Sequence, residues 1–289
     1  MSRDAACIIV SDLHVGSIVG LWPPAGVVLD EGGQVTLNRV QQQLWLWWRS
    51  FWDEFIPARC KKRQRIIVAN GDLVEGTMHN VAALCAPNAA DQRKAAVYLL
   101  EQERRKGDAL YVIRGTEAHA GLSGGDEEAI AQALGCPQDK ATGQYSRWHF
   151  QCRVNGTCFD FAHHIGVSAS PVSEGTALTT QLVLAMREAG QWGSVLPDLI
   201  VRSHRHRFWM SGAPGQRGVH TILTTPCWQG KTPFVQRITP ATMPQIGGVV
   251  VLVDEDGSWS MSAFLRALPL PEPEEVTVDY KKKSNDNRK

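Results

Sequence analysis

Five polar clusters, each directly following a β-like apolar run, constrain this chain more than any other feature. Asp12-Leu13-His14 follows Ala6–Val10, Gly71-Asp72 follows Ile66–Ala69, and Gly115-Thr116-Glu117-Ala118-His119 follows Leu110–Ile113. His163-His164 follows Cys158–Ala162, and His204-Arg205-His206 follows Leu199–Val201. Neighbouring parallel strands deliver their C-terminal residues to one edge of a sheet. A chain patterned in this way therefore collects carboxylates and imidazoles in one place, as a metal site requires. Taken singly, an Asp at a strand end is often a turn residue or a helix cap, and a lone His is usually a satisfied core residue. The set outweighs its members because six of the nine histidines fall within it.

The 289 residues suffice for one large core and for one domain or at most two. Apolar content of 43% and charged content of 20% are those of a globular protein, and no apolar run approaches the ~20 residues of a membrane span. Met1 to Cys7 leads straight into a strand without the zones of a signal peptide, so a cytoplasmic location and no membrane partner are expected. Seven cysteines without a CxxC pair read as reduced, mostly buried thiols. Thirty basic against 29 acidic side chains give no support for broad nucleic-acid or membrane binding, so any polyanion binding has to be local.

Leu37 to Phe55 carries Val40, Leu44, Trp47, Trp48, Phe51 and Phe55 at spacings of three and four, the pattern of a helix packed on a sheet. Further helices are predicted over Asp91–Lys106, Ser173–Gly190 and Glu127–Leu134. Asn155-Gly156 and Asp256-Gly257 each separate two β-like runs and predict hairpins. Strands alternating with helices and then hairpins predict an α/β fold, a four-layer αββα sandwich of two mixed β-sheets flanked by helices. That domain spans residues 1–268, and the Pro/Glu-rich and basic residues 269–289 read as a flexible tail.

Asp12 and His14 alternate with Leu13, so on an extended backbone both point to one side and form a paired grip on one ion. His204 and His206 repeat that spacing, and Asp72 is a second carboxylate able to bridge two cations. Carboxylates with imidazoles and no thiolate suit Mn²⁺ first, with Fe or Zn²⁺ as alternatives. Two such ions clamp the attacking and leaving oxygens of a phosphoryl displacement, and a hydroxide bridging them would be the nucleophile.

The order Asp-x-His, Gly-Asp, Gly-…-His, His, His-x-His from about Ala6 to Phe208 resembles the calcineurin-like metallophosphoesterase family. The resemblance implies that Asp12, His14 and His206 hold one metal, that Asp72 bridges, and that His163, rather than His164, joins His204 on the second. The family's third motif is Gly-Asn-His-Asp/Glu, with Asn as a second-metal ligand and His as general acid. Here Thr116 occupies the Asn position but is a poor neutral ligand. Glu117 offers a metal oxygen instead, and His119 is the candidate to protonate the leaving group. This variant, with Thr225-Pro226-Cys227-Trp228-Gln229, is similar to phosphoesterases of phages and prophages.

Three residues are candidates for substrate contact. His79 is either a phosphate contact or an ordinary loop residue. Arg205 offers a fork to phosphate oxygens, although alternation turns it away from the two histidines. Trp228 fits a pocket wall for a nucleobase or aryl group and fits core packing equally well. The expected activity is a phosphodiesterase on nucleotides or nucleic acid. A phosphomonoesterase uses the same site, and a catalytically silent metal-binding scaffold is favoured only by the altered third motif. A metallo-β-lactamase-type site needs Asp-His after His-x-His, where this chain has Arg207-Phe208-Trp209.

Overall fold

Strand β1 (Ala5–Val10) is buried along its whole length, which is how a strand covered on both faces reads in sequence. Its even-numbered side chains, Ala6, Ile8 and Val10, enter one core, while Cys7 and Ile9 enter another. That alternation sets the layers of the molecule. The computed structural model describes residues 4–77, 83–166, 174–215, 218–238, 242–270 and 272–276.

The first sheet has the order β11-β10-β1-β2-β3-β4, with β2 at Gln64–Asn70, β3 at Ala109–Ile113, β4 at Ser146–Arg147, β10 at Ile246–Val253 and β11 at Trp259–Arg266. Strands β1 to β4 run parallel, and β10 and β11 add an antiparallel edge. The second sheet has the order β5-β6-β7-β9-β8, comprising β5 (Phe150–Val154), β6 (Thr157–Phe161), β7 (Leu199–Arg202), β8 (Trp209–Gly215) and β9 (Gly218–Thr224). Its β6, β7 and β9 are parallel, with antiparallel edges. The two sheets face each other through Cys7, Ile9, Val68, Ile113, Val249 and Val251 on one side and Phe159, Phe161, Leu199, Val201 and Leu223 on the other.

Helices α1 (Arg39–Ser50), α3 (Ala89–Glu103) and α5 (Gly125–Ala133) cover the outer face of the first sheet through Leu44, Trp48, Ala95, Leu99, Ile130 and Ala131. Helix α6 (Glu174–Trp192) covers the second through Leu178 and Leu182, packed on Ile200 and Ile222. The architecture is the expected αββα sandwich. Among the described residues, no helix is long and apolar enough to cross a membrane. All seven cysteines are free thiols.

Two details depart from the sequence pattern. The first helix does not stop at Phe55. Residues Phe51–Phe55 form a π-turn closed by the Ile56 N–H on the Phe51 carbonyl, and the chain continues as α2 (Ile56–Cys60). Phe51 and Phe55 thereby both reach Phe264, at ring distances of 5.6 and 5.3 Å. The β8–β9 hairpin lacks a sequence signature because β8 is an edge strand with mostly exposed side chains and a Pro at 214. Of the expected tail, residues 271 and 277–289 lie outside the described residues.

Asp160 sits in β6 with its neighbours Phe159 and Phe161 turned into the inter-sheet core. Its carboxylate meets Arg202 Nη1 at 2.8 Å, His149 Nε2 at 2.6 Å and Gln151 Nε2 at 2.8 Å. Burial alone would raise its pKa, but the His149 hydrogen bond and the Arg202 charge bring it down to about 2. A depressed carboxyl contributes stability above its unfolded pKa and loses it as pH falls through the folded value. Asp160→Asn should therefore cost about 2 kcal/mol at neutral pH, with the difference from the parent shrinking between about pH 4 and pH 2. Urea unfolding at a series of pH values reads this; a pH-independent difference would refute it.

Candidate metal centre

Register brings the five motifs together. Val10 pairs with Ala69, and Asn70 with Ile113, so the turns after β1, β2 and β3 lie side by side. Asp12 N donates to Gly71 O at 2.9 Å and His14 N to Asp72 O at 3.1 Å. Across the sandwich, Phe161 pairs with Val201, and Ser203 N donates to His163 O at 2.8 Å. The side chains do not converge through strand alternation. Asp12, His14, Asp72, His204 and His206 all have positive φ, between 46° and 71°. Each is a left-handed turn residue, a conformation that costs roughly 1 kcal/mol or more for an L side chain. The extended-backbone argument for Asp12–His14 and His204–His206 is thus corrected: Asp12 and His14 still share one donor group, whereas His204 and His206 fall in different ones.

One group consists of Asp12, His14 and His206. His206 Nε2 stands 3.2 Å from Asp12 Oδ1 and 3.1 Å from His14 Nε2. A second consists of Asp72, His163 and His204, with His163 Nε2 at 3.1 Å and His204 Nδ1 at 3.9 Å from Asp72 Oδ2. The groups adjoin, since His163 Nε2 is 3.8 Å from Asp12 Oδ1. A third combination joins His14, Asp72 and His119. His164 is exposed while His163 is buried.

Electrostatics ties these groups together. Burial opposes ionisation of Asp12, yet His163 and His206 bring its pKa down to about 2. Asp72 is also held well below the carboxylate range, burial being outweighed by His163 and His204. Burial would depress His163, but Asp72 and Asp12 push it up to about 10. A proton on that imidazole offsets two buried carboxylates, and a cation binding at the same point has to displace it.

The residues fit metal ions on an independent observation. Both carboxylate oxygens of Asp12 and Nε2 of His163 are buried without an aligned hydrogen bond. Buried charges lacking such partners cost roughly several kcal/mol, and coordination removes that cost. His163 Nδ1 donates to the Asn70 carbonyl at 2.7 Å, which leaves Nε2 as the basic nitrogen turned to the carboxylates.

The third motif differs from expectation. Glu117 is the exposed first residue of a short helix, α4 (Glu117–Ala120), and belongs to none of the described ligand groups. Thr116 faces the site instead, donating to Asp72 Oδ1 from its backbone N at 2.7 Å and from Oγ1 at 3.1 Å. The N-cap position of Thr116 turns the next side chain outward, which overrides the argument from ligand strength. His119 does reach the site. Its ring is 4.4 Å from that of His14, and its Nδ1 contacts the Glu75 carbonyl at 2.7 Å.

Of the substrate candidates, Trp228 is a correction. It is fully buried against Trp48 at 4.9 Å, Phe51 at 5.8 Å and Phe264 at 6.5 Å, and its backbone N donates to Asp12 O. It buttresses the first motif from the core and cannot wall a pocket. Arg205 directs Nε to the Gly166 carbonyl at 3.1 Å, which straps the fourth-motif loop to the fifth. His79 lies outside the described residues.

Sequence reasoning missed the supporting layer. Glu75 places Oε2 2.8 Å from His14 Nδ1, a charge contact not aligned as a hydrogen bond, and accepts from Gln229 Nε2 at 2.8 Å. Ser11, Thr225, Ser203 and Asn70 form a buried hydrogen-bonded chain across the two sheets, with links of 2.6, 2.8 and 2.6 Å. Glu127, fully buried, accepts from Gly115 N and from Leu73 N, and so joins the turns carrying Asp72 and Thr116. The available signal was local, because Ser11, Asn70 and Ser203 each lie one or two residues before a ligand candidate. Gly115 has a reason of its own, since a Cβ there would lie 2.1 Å from Asp72 Oδ1.

No family model matches the sequence, and no curated protein does either. Solved structures similar to the chain include a Thermotoga maritima protein determined by NMR, at 12% identity and TM-score 0.37 over 91% of this chain and 99% of that one. Another is the purple acid phosphatase PPD1 of yellow lupin seeds, at 10% identity and TM-score 0.43, covering 91% of this chain but 52% of the lupin chain. A third is a metallophosphoesterase from Sphaerobacter thermophilus, at 9% identity and TM-score 0.34 over 92% and 89%. The chain thus spans about half the length of the lupin enzyme.

Two outcomes follow from this geometry. Glu75→Gln, which keeps the shape and removes the charge beside His14, should weaken metal binding by about 10- to 100-fold in a chelator competition; unchanged affinity would remove Glu75 from the site. Glu117→Ala should leave the number of bound metal ions at the parental value by elemental analysis, and loss of an ion would restore Glu117 as a ligand.

Proposed function

We propose that the chain is a calcineurin-like two-metal phosphoesterase, acting as a phosphodiesterase on nucleotides or nucleic acid. The observation that carries this reading is the pair of adjoining donor groups, Asp12/His14/His206 and Asp72/His163/His204, whose carboxylates, His14 and His163 are buried where two sheets meet while His204 and His206 are partly exposed. In this reading the first group holds one divalent ion, and His163 with His204 holds the other. Asp72 would bridge, being grouped with His163 and His204 on one side and with His14 of the first group on the other. Mn²⁺ is the proposed ion, and the mixed carboxylate and imidazole set suits Fe or Zn²⁺ as well. When bound, the ions supply Lewis-acid charge to the phosphoryl oxygens and lower the pKa of water.

The chain's own residues supply orientation and a proton. Thr116 fixes the Asp72 carboxylate through two donors. A carbonyl oxygen can accept but not donate, so the Glu75 contact keeps a proton on His119 Nδ1 and leaves Nε2 as the nitrogen that exchanges one. His119 then delivers a proton from Nε2 to the departing oxygen.

Metal-stripped protein reloaded separately with Mn²⁺, Zn²⁺ or Mg²⁺ tests the proposal on bis(p-nitrophenyl) phosphate against p-nitrophenyl phosphate. Turnover should return at two ions per chain, fastest with Mn²⁺ and on the diester. Tight metal binding without turnover on either ester would overturn it in favour of a silent scaffold. His119→Ala should lower kcat by about 10²- to 10⁴-fold with the metal count unchanged. Asp72→Ala should abolish turnover with the fold retained by circular dichroism, and near-parental turnover would exclude the bridging role.

A further inference from the structure

The opposite end of the first sheet carries a different chemistry. Two turns lead into the N-terminal ends of the adjacent strands β2 and β3, one after α2 and one after α3. The first contains Lys61, Lys62 and Arg63, and the second Arg104, Arg105 and Lys106. From Arg59 to Arg65 there are five basic residues and no acidic one, in a chain whose net charge is only +1. The turns flank a shallow, open cleft of about 250 Å³ lined by Lys61, Lys62, Arg63, Arg65, Arg105 and Lys106 with Gln64 and Asp108.

The charge there is only partly neutralised. Arg63 pairs with Asp254 at 2.6 Å and Asp4 at 3.5 Å, and Arg65 with Asp108 at 3.2 Å. Those pairs consume the neighbouring carboxylates and hold the cleft's floor. Among the described residues, no carboxylate pairs with the side chains of Lys61, Lys62, Arg105 or Lys106, and all four are exposed. Burial depresses the pKa of the Arg65 guanidinium, and the neighbouring Arg105 charge pushes it the same way while Asp108 opposes them. Lys61 also has φ of 47° and ψ of −116° at the end of α2, where glycine is the unstrained choice. A lysine held there at a conformational cost is consistent with a role for its charge.

We infer that this cleft binds the phosphate backbone of a nucleic acid. The lining is polar or charged throughout, with no aromatic or aliphatic side chain to enter a bilayer, which favours a hydrated polyanion over a membrane surface. Four exposed cations flanking a concave floor match successive phosphates, the contact that dominates sequence-independent affinity. The cleft lies at the ends of β2 and β3 remote from the metal centre, about 20 Å away along the strands. It anchors the chain to a polymer and leaves the reacting phosphate to the other edge. The inference is independent of the chemistry assigned to the metal centre.

Fluorescence anisotropy of a short mixed-sequence DNA duplex and of a single-stranded RNA, with metal removed so that nothing is cleaved, tests it. The full chain should bind at low salt. The combined variant Lys61→Glu, Lys62→Glu, Arg105→Glu and Lys106→Glu should bind at least about tenfold more weakly, with the slope of log affinity against log salt reduced by about 3 to 4. The neutral set with Gln at the same positions should give an intermediate loss, and unchanged thermal melting certifies its fold. Equal binding by parent and both variants would overturn the inference. So would absence of nucleic-acid binding, or binding confined to phosphatidylserine vesicles.

Discussion

Everything at the centre of this molecule follows from burying two carboxylates, Asp12 and Asp72, where two β-sheets meet. Charged groups in such a place are tolerated only when opposite charge and hydrogen-bond donors surround them. The chain answers with the imidazoles of His163, His204 and His206 and with the Thr116 donors on Asp72. Beneath them the Ser11–Thr225–Ser203–Asn70 chain closes the gap between sheets with polar atoms that satisfy one another. Such a floor is incompatible with sliding of one sheet on the other, because any displacement would strand several buried donors at once.

A second cost is paid in the backbone. Five of the donor side chains sit on left-handed turns, where a β-strand has just ended and the next residue must double back toward the focus. Asp and His tolerate this region better than β-branched or bulky residues. The hydrogen bonds from Asp12 N to Gly71 O and from His14 N to Asp72 O, together with the aromatic pack under Trp228, hold the turns in place. Strain of this kind persists only where the surroundings over-determine the conformation.

The layers and most elements were legible in the sequence because periodicity reports burial directly. The Asn155-Gly156 hairpin pairs as expected, Val154 opposite Thr157, with Asn155 at φ 48°. The strand-end placement of the Asp and His clusters was legible for the same reason. What was not legible depends on direction rather than position. Glu117 and Thr116 are adjacent, and only the onset of α4 decides which faces Asp72. Trp228 was ambiguous because an aromatic after a strand suits a wall or a core, and only the tertiary pack with Trp48 separates them. Glu75 was missed because a carboxylate three residues beyond Asp72 has no spacing rule linking it to His14.

Glu75 makes two contacts of different kinds, its carboxylate lying against His14 and its carbonyl against His119. The two are inherited separately. Point substitutions reach the first and leave the second intact, because every residue type has the same carbonyl. A change in loop length between Leu73 and Gly76 displaces both together. Sequence drift at position 75 can therefore retune the grip on one imidazole while the orientation of the other stays invariant, so a diverging lineage would conserve the spacing here more strictly than the residue.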